Sequence, residues 1–224
     1  AGSVVQFSSG NADNLAIAFD SSNGKVVISY RDRANSNYGT AIVGTVSETS
    51  ISFGTAVVFE SANTTDTGIT FDSNNNKVVI GYRDIGNSGH GTAIVGTVSS
   101  TSISFGSAVV FESASTTSIF LTFDSSNNKV IIAYEDNGNS SYGTAIVGTV
   151  SSTSISFGSA ATFESAEVRD VTATFDTTNN KVLIVYADVG NSNYGTAVVG
   201  TVSSTSISFG TPVVYTGTEV GYFP

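Results

Sequence analysis

The sequence has no cysteine, no methionine, no tryptophan and only two prolines. Without cysteine there is no disulfide framework, no thiolate metal site and no cysteine nucleophile. One histidine excludes a multi-histidine metal centre within a single chain. It also leaves His90 as the only base a Ser-His-Asp triad could use, and no serine sits in a G-x-S-x-G elbow. Positive charge is scarce as well: 8 Lys and Arg stand against 18 Asp and Glu, for a net charge of −10. A chain this acidic repels nucleic acids and anionic membrane surfaces, so nucleic-acid binding is the first class set aside. No apolar run is long enough to span a bilayer, which predicts no membrane insertion, and no signal peptide is visible. The lack of methionine even at position 1 reads as a processed or excised chain.

Ser, Thr, Asn and Gly fill the space that charge leaves, since only 12% of residues are charged. Solubility through hydroxyls and amides is the style of all-β extracellular and virion-associated proteins, and that is the predicted location.

The organisation is a repeat. "NSNYGTAIVGTVS" at residues 35–47 returns as "NSGHGTAIVGTVS" from Asn87, "NSSYGTAIVGTVS" from Asn139 and "NSNYGTAVVGTVS" from Asn191. Gly39, Gly91, Gly143 and Gly195 are 52 residues apart, as are Asp20, Asp72, Asp124 and Asp176. A fixed period of this length points to propeller blades or solenoid repeats. Each period reads as four strands: "LAIAFD" (15–20), "KVVISYRD" (25–32), "TAIVGTVS" (40–47) and "ISFGTAVVFE" (51–60), with Gly54 as a bulge or kink. No stretch has helical periodicity.

The second and third strands are apolar almost throughout, so both of their faces need neighbours. Sheets arranged around an axis provide them, and no polar capping repeat of the kind an open solenoid needs stands out. The expected fold is therefore a single all-β domain over 1–224. It is a four-bladed β-propeller with four antiparallel strands per blade and repeats at about 8–59, 60–111, 112–163 and 164–215. "SVVQF" (3–7) aligns with "TAVVF" (55–59) and "TPVVY" (211–215), so the 3–7 strand is expected to help close the ring.

Positions that four copies share are read as structural. The first-strand Phe (19, 71, 123, 175) and second-strand Tyr (30, 82, 134, 186) fill the gaps between blades. The Asp after the Phe caps its turn through backbone N–H groups. Differences collect in two segments that emerge on one face: 8–16 and its equivalents, and 31–38 and its equivalents. All four arginines and His90 lie there, so this variable loop face is the candidate binding surface.

On that face the expected ligand-binding residues are Arg31, Asp32, Tyr38, Arg83, Asp84, His90, Asp136, Tyr142, Arg169, Asp188 and Tyr194. Aromatic rings beside amides and carboxylates suit sugars, and four similar sites would give avidity for a glycan or cell-surface receptor. No catalytic residue is assigned. The expected function is a non-catalytic binding or structural module. The alternatives are a carbohydrate-active hydrolase using Asp32, Asp84, Glu135, Asp136 and Asp170, or a purely architectural repeat protein. No cofactor is expected; Ca²⁺ is the ion that the Asp and Asn oxygens of the 31–38 loops would suit.

The blade order with "SISFGSAVVFE" is distantly similar to the sialidase-like, Asp-box blade, whose Ser-x-Asp-x-Gly-x-x-Trp turn appears here without its Asp and Trp as Ser50-Ile51-Ser52-Phe53-Gly54. The longer phrase spanning "NSNYGTAIVGTVS" and "TSISFG" resembles tandem repeats of marine bacteriophage structural or tail-associated proteins and bacterial surface proteins. That resemblance covers nearly the whole chain and implies a β-propeller with an attachment or structural role, without catalytic residues.

Overall fold

The structure, a computed structural model, describes residues 4–220. Each 52-residue period becomes one small antiparallel sheet. The first holds β1 (Ala12–Asp20), β2 (Lys25–Asp32), β3 (Tyr38–Ser47) and β4 (Ser50–Phe53). The second holds β5 (Val57–Asp72), β6 (Lys77–Asp84), β7 (His90–Ser99) and β8 (Ser102–Phe105). The third holds β9 (Val109–Asp124), β10 (Lys129–Asp136), β11 (Tyr142–Ser151) and β12 (Ser154–Phe157). The fourth holds β13 (Ala161–Asp176), β14 (Lys181–Asp188), β15 (Tyr194–Ser203), β16 (Ser206–Phe209) and the terminal β17 (Val213–Glu219). There is no α-helix among the described residues.

Short-range chemistry follows the sequence closely. Asp20 Oδ1 accepts from Ser22 N and Asn23 N, each at 3.0 Å, and Oδ2 accepts from the Asn23 amide at 2.8 Å. Asp72, Asp124 and Asp176 repeat this Asx arrangement. The predicted kink at Gly54 is present: the outer strand breaks between β4 and β5, while Gly54 N still donates to Val43 O at 2.9 Å. A Cβ at Gly54 would run into the carbonyl oxygen of Thr101 in the next repeat, so glycine is required there by close approach.

The segments expected to be loops joining the fourth strand to the next first strand are not loops. Each is the middle of a 16-residue strand. The first half of β5 pairs with β3, as Ala41↔Val57, and the second half with β6, as Phe71↔Val78. The change of partner is absorbed by an irregularity between Thr65 and Gly68, with Asp66 at φ 51. These crossing strands join the repeats into one continuous 17-stranded antiparallel sheet.

That sheet is not closed, and the expected four-bladed propeller is overturned. β1 packs on β5, β5 on β9 and β9 on β13, with no comparable packing of β13 back on β1. The inference from doubly apolar strands held only for interior repeats. A sheet with neighbours on both sides has the same pattern in a ring or in an open series, and the terminal repeats copy the interior sequence without polar caps. Ring closure by 3–7 falls with the propeller. Ser3 lies outside the described residues, and 4–7 forms no strand. Phe7 instead lies 5.3 Å from the Tyr30 ring and 5.9 Å from the Phe53 ring on its own first sheet.

The core is divided among the three junctions. At the first, Val27, Ala41 and Val43 of one sheet meet Ile69, Val78 and Ile80 of the next. Tyr30, Tyr82, Tyr134 and Tyr186 are fully buried, as expected of gap-filling rings. Each takes a tilted or edge-on aromatic neighbour, such as Phe59 on Tyr82 at 5.2 Å, the geometry ring quadrupoles favour.

Candidate functional site

The variable segments do share one edge of the structure, because β2–β3 connections and crossing-strand midpoints lie at the same ends of the strands. Four quartets stand along it, each made of two cross-strand pairs set one register step apart. The first is Asp13, Arg31, Tyr38 and Asn63; the second is Thr65, Arg83, His90 and Ser115. The third is Thr117, Glu135, Tyr142 and Glu167; the fourth is Arg169, Ala187, Tyr194 and Glu219. One backbone frame thus carries four different charge patterns.

In the first quartet Arg31 holds Asp13 with two donors, Nε to Oδ1 at 2.6 Å and Nη2 to Oδ2 at 2.5 Å, and Arg33 adds a third from outside. The Arg31 hydrogen bond holds the Asp13 carboxyl well below the usual carboxylate range, against the opposing effect of burial. In the second, Arg83 Nη2 donates to Ser115 Oγ at 2.9 Å, while its Nε is buried without a partner. In the third, burial pushes the Glu135 carboxyl up. Arg169 turns back to Glu167 Oε1 at 2.8 Å, linking the third and fourth quartets. Tyr38, His90, Tyr142 and Tyr194 are all half-buried, each at the start of its strand.

Three of the four predicted loop aspartates accept from amides of their own turns. Asp32 Oδ1 accepts from Ala34 N at 3.0 Å, Asp84 Oδ1 from Asn87 N at 3.1 Å and Asp136 Oδ1 from Gly138 N at 3.0 Å. They are turn caps, with 3-10 turns following at Ile85–Asn87 and Asn137–Asn139. Asp188 occupies the equivalent place before Val189–Asn191, but its Oδ1 is buried and unpartnered. Among the described residues no three His, Asp or Glu side chains gather as a metal-binding group.

A second set was missed in the sequence. Glu60, Glu112 and Glu164 lie behind the aspartates and accept from the buried Tyr82, Tyr134 and Tyr186 hydroxyls at 3.1, 3.3 and 2.9 Å. Burial first, and then the neighbouring Asp84 charge, raises the Glu60 pKa. Burial and then Glu112 raise that of Asp136, and burial and then Glu164 that of Asp188. The signal was available: every glutamate of this set precedes "SA", and Ser8 and Thr216 replace it at the two ends of the series.

A scan against protein-family models found no match to the chain, and a search of curated proteins found none either.

Proposed function

We propose that the protein is a non-catalytic binding module of an extracellular or virion-associated structure, contacting a glycan or cell-surface receptor through the variable edge. The observation that carries this reading is the row of half-buried rings, Tyr38, His90, Tyr142 and Tyr194, at one register on successive sheets. Face-packed sheets lie about 10 Å apart, so the row repeats at a spacing an extended, polyhydroxylated chain can follow. Each ring offers an apolar face to a sugar, and the flanking Asn63, Ser115, Glu167 and Glu219 offer hydrogen-bonding groups to its hydroxyls. The quartets differ in charge, so the same frame can discriminate among ligands. Weak single contacts multiplied along one edge give avidity.

The architectural alternative is favoured by the engagement of Arg31, Asp32, Asp84 and Asp136 within the fold. A glycan array followed by titration of the strongest hit into wild type, His90→Ala and Tyr142→Ala tests the reading. Binding weakened about tenfold by either variant, with no product released from the glycan, is the expected result. Silence on every glycan and on host-cell surfaces, with the variants folded, would favour the architectural protein. Turnover lost on Glu135→Gln would favour the hydrolase.

A further inference from the structure

The interior junctions show what the two terminal sheet faces are built to meet. Ile17, on the front of the first sheet, is 64% exposed, whereas Ile69, Leu121 and Ala173 at its register are 9%, 3% and 9% exposed. Val46 on the same face is 56% exposed against 7%, 6% and 7% for Val98, Val150 and Val202. The back of the fourth sheet gives the mirror result. Leu183 is 37% exposed where Val27, Val79 and Ile131 are at 0%, and Val199 is 47% exposed where Val43, Val95 and Val147 are at 0%.

We propose that a second copy of this chain docks head to tail, the back of the fourth sheet of one copy covering the front of the first sheet of the next. The argument is one of continuity with an established interface. Three times within the chain a back face with these residue types buries a front face with these residue types, and the two uncovered faces are one of each kind. Two identical faces meeting would not reproduce that fit. Polar register supports the same partner. Asp66 N donates to Asn14 Oδ1 at 3.0 Å and Ser118 N to Asp66 Oδ1 at 3.3 Å, so the Asn14 and Asp66 rungs each offer an acceptor to the following repeat. Asp170, the last rung, is exposed and faces the place where the next copy's Asn14 N–H would arrive.

The aromatic notch makes a further demand. Phe59 sits against Tyr82 and Phe105, and Phe163 against Tyr186 and Phe209. Tyr215 is the corresponding ring of the fourth sheet and is 58% exposed. Its notch on the next copy, formed by Tyr30 and Phe53, is already held by that copy's own Phe7. Docking therefore has the incoming Val213–Tyr215 displace Val4–Phe7. Because the contact is heterologous, it propagates rather than stopping at two copies.

Sedimentation velocity of the full chain across a micromolar-to-submillimolar series tests this, with Ile17→Asp and Leu183→Asp as blocking variants. Both positions are exposed in the single copy, and circular dichroism checks that the variants fold. Wild type is expected to form a concentration-dependent series of oligomers. Each variant alone is expected to associate at least about a hundredfold more weakly, because docking would bury an unpaired carboxylate. An equimolar mixture is expected to give a dimer and nothing larger, pairing the intact back face of Ile17→Asp with the intact front face of Leu183→Asp. Removing residues 1–7 is expected to tighten wild-type association several-fold. A monomeric wild type throughout, a single variant that associates like wild type, or a mixture that fails to pair overturns the docking. Unchanged association after removal of 1–7 overturns the displacement.

Discussion

Tyr82 donates its phenolic hydroxyl to Glu60 Oε2 at 3.1 Å from a fully buried position, beneath a carboxylate that also feels the charge of Asp84. Tyr134 with Glu112 and Tyr186 with Glu164 repeat the relationship at the next two junctions. Burial dominates the energetics. It raises Glu60, Glu135, Asp136 and Asp188 above their ordinary values, and it pushes Tyr30, which has no such glutamate, up to about 12.

These raised carboxyls predict a fold that is firmer in mild acid than at neutral pH. A carboxyl whose folded value exceeds its unfolded value favours folding in its protonated form. Its contribution is complete below the unfolded value, 4.5 for Glu60 and 3.8 for Asp136, and is lost as pH rises through the folded value. The midpoint of thermal unfolding should therefore be higher at about pH 5 than at about pH 8, at constant ionic strength. Glu60→Gln should flatten part of that slope. A midpoint independent of pH between these limits would count against the buried pairs.

Asp13 carries the opposite sign. Its pKa is lowered, chiefly by the Arg31 hydrogen bond, so its stabilisation is present above the unfolded value of 3.8 and is lost as pH falls through the depressed folded value. Asp13→Asn should cost about 1.5–3 kcal/mol at pH 7, the range for a charge-assisted hydrogen bond in a partly buried setting. The Arg31→Leu, Asp13→Leu pair should recover much of that loss, because it leaves only the solvent-exposed Arg33 without its partner. Denaturant unfolding of Asp13→Leu, Arg31→Leu and the double variant beside wild type measures the cycle.

Local structure was legible in the sequence because each feature has a local cause. The Asp20 turn caps, the Gly54 break and the buried Tyr30 series follow from residue types at fixed offsets. The charge sorting that singled out one edge also follows from counting strand directions. What the sequence hid was connectivity at long range. "ESANTTDTG" has the composition of a loop, yet its Thr64 and Thr65 pair in register with Asp84 and Arg83, so polar composition concealed a strand. The opposition of Asp13 to Arg31, of Thr65 to Arg83 and of Arg169 to Ala187 was there to be read once that register was known. Openness had no sequence signal, since Ile17 and Leu183 are as apolar as the interior residues they copy.

Gly54→Ala should destabilise the protein by about 2–3 kcal/mol, because the added methyl meets the Thr101 carbonyl of the adjacent repeat and neither backbone can yield alone. Gly106→Ala and Gly158→Ala meet Thr153 and Thr205 in the same way and should cost a similar amount. Gly217→Ala has open space around its added methyl and should stay within about 0.5 kcal/mol of wild type. Equal effects at all four sites would show that the junctions do not depend on this close approach.

Asp188 separates capping from charge. Asp84 and Asp136 hold turn N–H groups, so Asp84→Ala and Asp136→Ala each lose a cap and should cost about 0.5–2 kcal/mol. Asp188 has the same backbone setting, with φ −88 and ψ 97, but its buried Oδ1 has no partner and Glu164 lies nearby. Burial and then the Glu164 charge raise its pKa and outweigh the Asn191 and Gly190 amides, which lower it as the Gly138 and Asn139 amides lower that of Asp136. Asp188→Asn keeps the shape and removes the charge, so it should raise the unfolding midpoint at pH 7 by roughly 1–3 °C. The gain should shrink as pH falls toward the unfolded value of 3.8, where the native carboxyl is already protonated. A loss of stability at pH 7 matching that of Asp84→Ala would instead mean that Asp188 caps its turn as the others do.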